Sequence, residues 1–305
     1  MLKHEHSAAC RFVLARLYCP VPNQENSFRI TVGEFSDELL NDISRTTYDY
    51  TIPLGLNNVL VGSGTLVNID ATPGILTAAH VITVSGWNNS IGVKQALVTT
   101  LDRHASYLWE RMENLDWWIS KPVDPEWGPD LAFIRLPTSG RFIEQIKGKK
   151  SFWPLTKNPS QRVEDANSSD VFATVCGFVA EETRDGEPES GFQQVERLQG
   201  YSFIGGPTAQ HLVNGWDFID VDGYRTNCTS IPGSFGGVSG VGLWTFGITR
   251  RYGDTPGTEQ IDVLTLAGVA FYELDPSSEK PALRCHGPRS VYEQALDQVR
   301  MWLHR

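Results

Sequence analysis

Short runs rich in β-branched and small residues recur along this chain without regular alternation with helices. Val59–Ile69 and Gly74–Ala78 come first, and Val171–Ala180, Gly242–Ile248 and Leu264–Tyr272 follow in the second half. A parallel sheet needs a crossover helix between successive strands, so this pattern excludes a parallel α/β sheet and predicts a mainly β fold. Trp216–Val221 and Tyr224–Cys228 flank Asp222-Gly223, a pair suited to the positive φ angles of a tight turn, which predicts a hairpin there. Helices are expected only at Ser7–Tyr18, at Ser36–Ser44, in an insertion at Asp102–Met112 and at the end. There Val291, Ala295, Val299 and Leu303 recur at helical spacing within Ser290–Leu303. Glu181–Ser190 is charged and carries Gly186 and Pro188, which predicts an exposed loop. Trp117, Trp118 and Trp127 sit among prolines and predict a packed loop.

The division expected is an N-terminal extension (1–50), a first β-barrel (51–140), a second β-barrel (141–285) and a C-terminal helix (286–305), with Arg141–Lys147 linking the barrels. With 305 residues, 40% hydrophobic and 20% charged, the chain is long enough to bury a substantial core. Its 26 basic and 36 acidic residues give a net charge of −10. Nonspecific nucleic-acid binding needs a basic surface, so no nucleic-acid partner is expected. Lys147, Lys149 and Lys150 form a short basic run that reads as a solvated loop. No apolar stretch approaches the roughly 20 residues needed to span a bilayer, so no membrane is expected. The five cysteines, Cys10, Cys19, Cys176, Cys228 and Cys285, cannot all pair within one chain, and a reduced cytoplasmic setting is expected.

Three segments carry the chemistry. Leu76-Thr77-Ala78-Ala79-His80 supplies a base, Asp130 at the head of Asp130–Leu136 supplies a carboxylate, and Gly237-Val238-Ser239-Gly240 supplies a hydroxyl between glycines. A neutral serine hydroxyl is a poor nucleophile until a base takes its proton and a third group orients that base. His80, Asp130 and Ser239 are the candidates for those roles, in the order histidine, acid, serine.

At these residues the chain resembles the chymotrypsin/trypsin family of serine proteases. Leu76–His80 is similar to that family's histidine motif, Asp130–Leu136 to its aspartate strand, and Gly62–Val67 to the strand before the histidine. Phe235–Gly240 and Ala267–Glu273 look closest to bacterial trypsin-like peptidases without disulfides, some of which belong to antiphage defence systems. The resemblance implies a chymotrypsin-like double β-barrel and hydrolysis of protein or peptide substrates through an acyl-enzyme. It implies an oxyanion hole made by the backbone N–H groups of Gly237 and Ser239. It implies a primary pocket near Gly233, Ser234, Tyr272 and Glu273. Gly233 falls near where trypsin places its aspartate, so trypsin-like basic specificity is not implied. Glu273 would obstruct the pocket, attract a basic side chain or face outward. Secreted relatives carry a cysteine after the histidine, whereas Val81 stands here. Val238 replaces the motif aspartate that receives the new amino terminus in zymogen activation, and Val241 replaces a glycine. Activation by terminal insertion is therefore not expected, and restraint by a regulatory protein partner, by residues 1–50 or by narrow substrate choice is.

Two other readings compete. An α/β-hydrolase esterase would use Ser239 with Asp262 or Asp275 and His286, but it needs a strand-turn-helix at the serine. A trypsin-like fold without activity would be a binding module. Ser234 is a second nucleophile candidate, followed by Phe235 where a glycine is wanted. The dinucleotide-loop pattern at Gly62-Ser63-Gly64 fails at Val67, the calcium-loop pattern around Asp220 and Asp222 fails at Phe218 and Thr229, and His4 and His6 read as a terminal pair. No paired cysteine spacing indicates zinc, and no cofactor is expected.

Overall fold

Ser36 starts the first helix by capping it. Its Oγ accepts a hydrogen bond from the Leu39 N–H at 3.1 Å, satisfying one of the amides that every helix start leaves free, and α1 spans Asp37–Tyr48. The computed structural model describes residues 35–56, 59–83, 90–94, 104–111, 115–124, 127–156, 171–185, 195–226, 234–249, 260–274 and 282–305. The expected helix at Ser7–Tyr18, His4, His6, Cys10, Cys19, Cys228 and Gly233 lie outside the described residues. Leu39, Leu40 and Ile43 share one buried face of α1 and pack with Ile204, Phe246 and Ile248.

The rest is built mainly from strands. In the first half these are β1 (Thr51–Leu56), β2 (Val59–Ile69), β3 (Thr72–Thr77), β4 (Ser90–Lys94), β5 (His104–Arg111), β6 (Trp117–Ile119) and β7 (Ala132–Arg135). A short helix, α2 (Ala79–Thr83), follows β3. The neighbours run β5-β4-β1-β2-β3-β7-β6, with β8 (Trp153–Pro154) added in parallel to β2. Between the halves, Arg141–Lys147 forms helix α3, in which Ile143 and Ile146 are buried.

The second half contributes β9 (Val171–Asp185), β10 (Val195–Val213), β11 (Trp216–Thr226), β12 (Gly242–Thr249), β13 (Gln260–Glu273) and β14 (Ala282–His286). In the order β10-β9-β12-β13-β14-β11, and with β11 paired back to β10, these six strands close a barrel. Closure satisfies both edges of each strand and leaves no open ladder. The architecture is therefore the mainly β one expected, with one closed barrel and a second sheet. All pairings among the described strands are antiparallel except β2–β8, and Ser239 is followed by strand β12. A strand-turn-helix at the serine is absent, which removes the α/β-hydrolase reading.

Several local expectations need correction. Asp102–Met112 is not a helical insertion: its His104–Arg111 forms β5, paired with both β4 and β10. Two ladders on one segment outweigh its intrinsic helical preference. Asp222-Gly223 is not a turn, because β11 runs through it and pairs with β10 and β14 there. A Cβ on the opposing Gly205 would collide with the Asp222 carbonyl, so the glycines allow a close strand crossing. The hairpin lies at Asn214-Gly215, with φ values of 50° and 88° between the paired Val213 and Trp216. Glu181–Asp185 extends β9 instead of opening the exposed loop, whose remaining residues lie outside the described set. Trp117 and Trp118 belong to β6, with Trp118 buried. Lys150 is not simply solvated, since its Nζ donates to the Tyr48 carbonyl at 2.6 Å.

The C-terminal helix forms as expected, beginning with a π-helical turn (Ser290–Ala295) that continues into α4 (Leu296–Leu303). Val291, Ala295 and Val299 are buried in the core that also holds the first sheet. The Asp217 carboxylate accepts from the Ser290 and Arg289 amides at 2.5 and 3.1 Å and so ties the helix start to β11. No helix among the described residues is long and apolar enough to cross a membrane.

Candidate active site

The β3 ladder ends at Thr77, and α2 then turns His80 out of the sheet. The His80 amide donates to Asp130 Oδ1 at 2.8 Å, and His80 Nδ1 lies 2.5 Å from Asp130 Oδ2. Both carboxylate oxygens are thus engaged by one residue. An ionised carboxylate only accepts, so the shared proton belongs to Nδ1, and Nε2 presents its lone pair elsewhere. Burial pushes the Asp130 carboxyl up, but the hydrogen bonds and charge of His80 outweigh it and hold the group below the usual carboxylate range.

The backbone around Asp130 is held from two sides. Buried Ser120 donates through Oγ to the Pro129 carbonyl and accepts from the Leu131 amide, both at 3.0 Å. The Asp130 amide itself donates to His286 Nε2 at 3.1 Å. His286 is fully buried, stacks on Phe271 at 4.4 Å and touches Phe218 at 5.1 Å. Burial holds its pKa down to about 3. Its Nδ1 has no partner among the described residues. A buried polar group left in that condition costs about 1–3 kcal/mol.

Ser239 sits on a loop whose carbonyls are turned to fixed donors. Gly236 O accepts from Ala180 N at 2.7 Å, Gly237 O from Ser63 Oγ at 2.6 Å, Val238 O from Val241 N at 3.2 Å and Ser239 O from Ser63 N at 2.8 Å. In a trans peptide the C=O and N–H point to opposite sides. The Gly237 and Ser239 amides, which share peptides with the Gly236 and Val238 carbonyls, therefore face away from those partners. Neither has an acceptor among the described residues. Gly237 and Gly240 take φ values of 93° and 95°, which favour glycine. Val238 and Val241 point the other way, into the core of the closed barrel. The two valines are thus apolar anchors that seat the loop.

Gly240→Ala tests that seating. A Cβ there would strike the Ser63 carbonyl and Thr77 Oγ1, in a backbone conformation that side chains rarely adopt. The variant is expected to lose about 3 kcal/mol or more of stability, measured by urea unfolding. Wild-type stability would contradict this account of the loop.

His80, Asp130 and Ser239 line one cavity of about 880 Å³, together with Phe271, Tyr272 and Glu273. Ser239 Oγ lines the same cavity as His80 and makes no hydrogen bond to it. Ser234 also lines the cavity and accepts from the Gly236 amide at 3.1 Å. Tyr272 is 57% exposed at the rim. Glu273 does not face outward: its Oε2 accepts from the Phe235 amide at 3.1 Å and braces the loop before the serine. Sequence reasoning did not find Ser120 or the role of His286. Neither lies in a local motif, and His286 meets Asp130 from the opposite half of the chain.

No protein-family model and no curated protein matches the chain. Among the solved structures similar to the chain, two are 14% identical to it. One is the serine protease domain of the Sesbania mosaic virus polyprotein, at a TM-score of 0.40, covering 81% of this chain and 92% of that one. The other comes from work on the coupled folding and binding of the Sesbania mosaic virus VPg protein, at a TM-score of 0.39, covering 81% of this chain and 89% of that one.

Proposed function

We propose that the chain is a serine endopeptidase that cleaves protein substrates through an acyl-enzyme. The observation that carries this reading is the His80–Asp130 pair facing the same cavity as Ser239. In this reading His80 Nε2 takes the Ser239 proton as Oγ attacks the substrate carbonyl carbon. Asp130 holds the tautomer and stabilises the imidazolium. The charge that develops on the carbonyl oxygen is met by the Gly237 and Ser239 amides. Collapse of the tetrahedral intermediate expels the amine, which receives the proton from His80. Water then repeats the sequence on the acyl-enzyme. Residues 51–140 and 141–285 act as the two halves of this unit, and Ser234, Tyr272 and Glu273 border its primary pocket.

Buried Cys285, which forms no disulfide, supports a reducing, cytoplasmic setting, and burial, which pushes its thiol far above its ordinary pKa, leaves it inert. Val238 in the barrel core supports control other than terminal insertion. We assign that control to a protein partner, to residues 1–50 or to narrow substrate choice, in a bacterial antiphage context. Rapid, indiscriminate digestion of unfolded protein by the isolated chain would count against restraint.

The enzymatic reading is tested by a fluorophosphonate probe, expected to label Ser239 in the wild type and not in His80→Ala. A silent binding module, the reading favoured by the unformed Ser239–His80 bond, would remain unlabelled with substrate peptides and native partners present.

A further inference from the structure

We infer that His286 is a positioning residue, whose Nε2 holds the Asp130 backbone and so sets the Asp130–His80 pair against the barrel that carries Ser239. This rests on the triad reading above. His80 and Asp130 belong to the first sheet, whereas Ser239 and His286 belong to the closed barrel. A serine and its base on separate bodies need a fixed registration, because small misplacements at a reacting centre are costly in rate. The Asp130 N–H to His286 Nε2 hydrogen bond crosses between those bodies at the acid itself.

The side chain is held rigidly for that task. Its strand β14 is paired on both edges, with His286 opposite Phe218 on β11 and Val269 on β13. Its ring lies against Phe271, which is itself a wall of the cavity. Accepting from an amide requires an unprotonated Nε2, and the neutral ring must then carry its proton on Nδ1. That nitrogen is buried without a partner among the described residues. An apolar residue would fill this aromatic site without an orphaned N–H, so the bond to Asp130 is what the histidine adds. Pro129 has no amide and the Leu131 amide is taken by Ser120 Oγ, leaving Asp130 as the donor that faces the barrel.

The test compares His286→Phe, which keeps an aromatic ring without the acceptor, with His286→Gln, whose amide oxygen can accept. His286→Phe is expected to lower kcat about 10-fold to 100-fold with little change in KM, and His286→Gln to recover most of the loss. Nitrogen-15 spectra of the wild type provide a readout independent of turnover and of variant folding. They should show His286 neutral, with Nδ1 protonated and Nε2 accepting, and a low-field His80 Nδ1 proton that shifts upfield in His286→Phe. A protonated Nε2 in the wild type would overturn the inference, as would a folded His286→Phe with unchanged kcat and an unchanged His80 resonance. If no form turns over substrate while the spectra behave as expected, the protease reading fails and the positioning contact stands.

Discussion

Ser239→Ala is expected to lower kcat on a protein substrate by about 10⁶-fold, because removing the nucleophile alone costs nearly as much as removing its whole catalytic set. Stability should change by no more than about 0.5 kcal/mol, since the lost oxygen lies at the wall of an open cavity and makes no hydrogen bond to His80. His80→Ala should be similarly severe. Asp130→Asn should cost about 10⁴-fold, because an amide facing Nδ1 favours the wrong tautomer. Steady-state cleavage and urea unfolding of each variant are the measurements. Wild-type cleavage by Ser239→Ala would show that the nucleophile lies elsewhere, and Ser234, on the same cavity wall, would be the next residue to test.

Acidification is expected to destabilise the fold well above the pH at which carboxylates protonate. His286 is held down to about 3 in the folded chain, against an ordinary value of 6.5. Between those values the unfolded chain takes up a proton that the folded chain refuses, so the stabilisation is complete above pH 6.5 and declines as pH falls towards 3. The slope contributed by this one ring approaches about 1.4 kcal/mol per pH unit. Asp130 acts in the same sense in a lower window, since its folded pKa lies below the ordinary 3.8. Its contribution is present above that value and fades as pH falls through the folded one. Urea denaturation at pH 7.5, 6, 5 and 4 samples the His286 window, which lies above that of Asp130. His286→Phe should flatten the slope between 6.5 and 4, and a wild-type stability that stays constant from pH 7.5 to 5 would contradict the buried neutral ring.

What could be read locally was legible in the sequence. Period and composition marked Val59–Ile69, Val171–Ala180, Gly242–Ile248 and Leu264–Tyr272 as strands, and the Val291, Ala295, Val299 stripe as a buried helix face, because side-chain periodicity is set by backbone geometry within one element. His80, Asp130 and Ser239 were nominated by short motifs whose order survives any folding. The tertiary structure decided what depends on distant partners. Asp222-Gly223 carries the chemistry of a turn, yet pairing on both edges draws it into β11, and the chain reverses at Asn214-Gly215 instead. His104–Arg111 becomes a strand because β4 and β10 offer ladders on either side. Val238 and Val241 look like lost motif residues until the closed barrel surrounds them. Ser120 and His286 acquire their roles only when the Asp130 backbone needs partners for groups that solvent no longer reaches. Those partners come from separate parts of the chain, because buried donors and acceptors are satisfied by proximity in space and not in sequence.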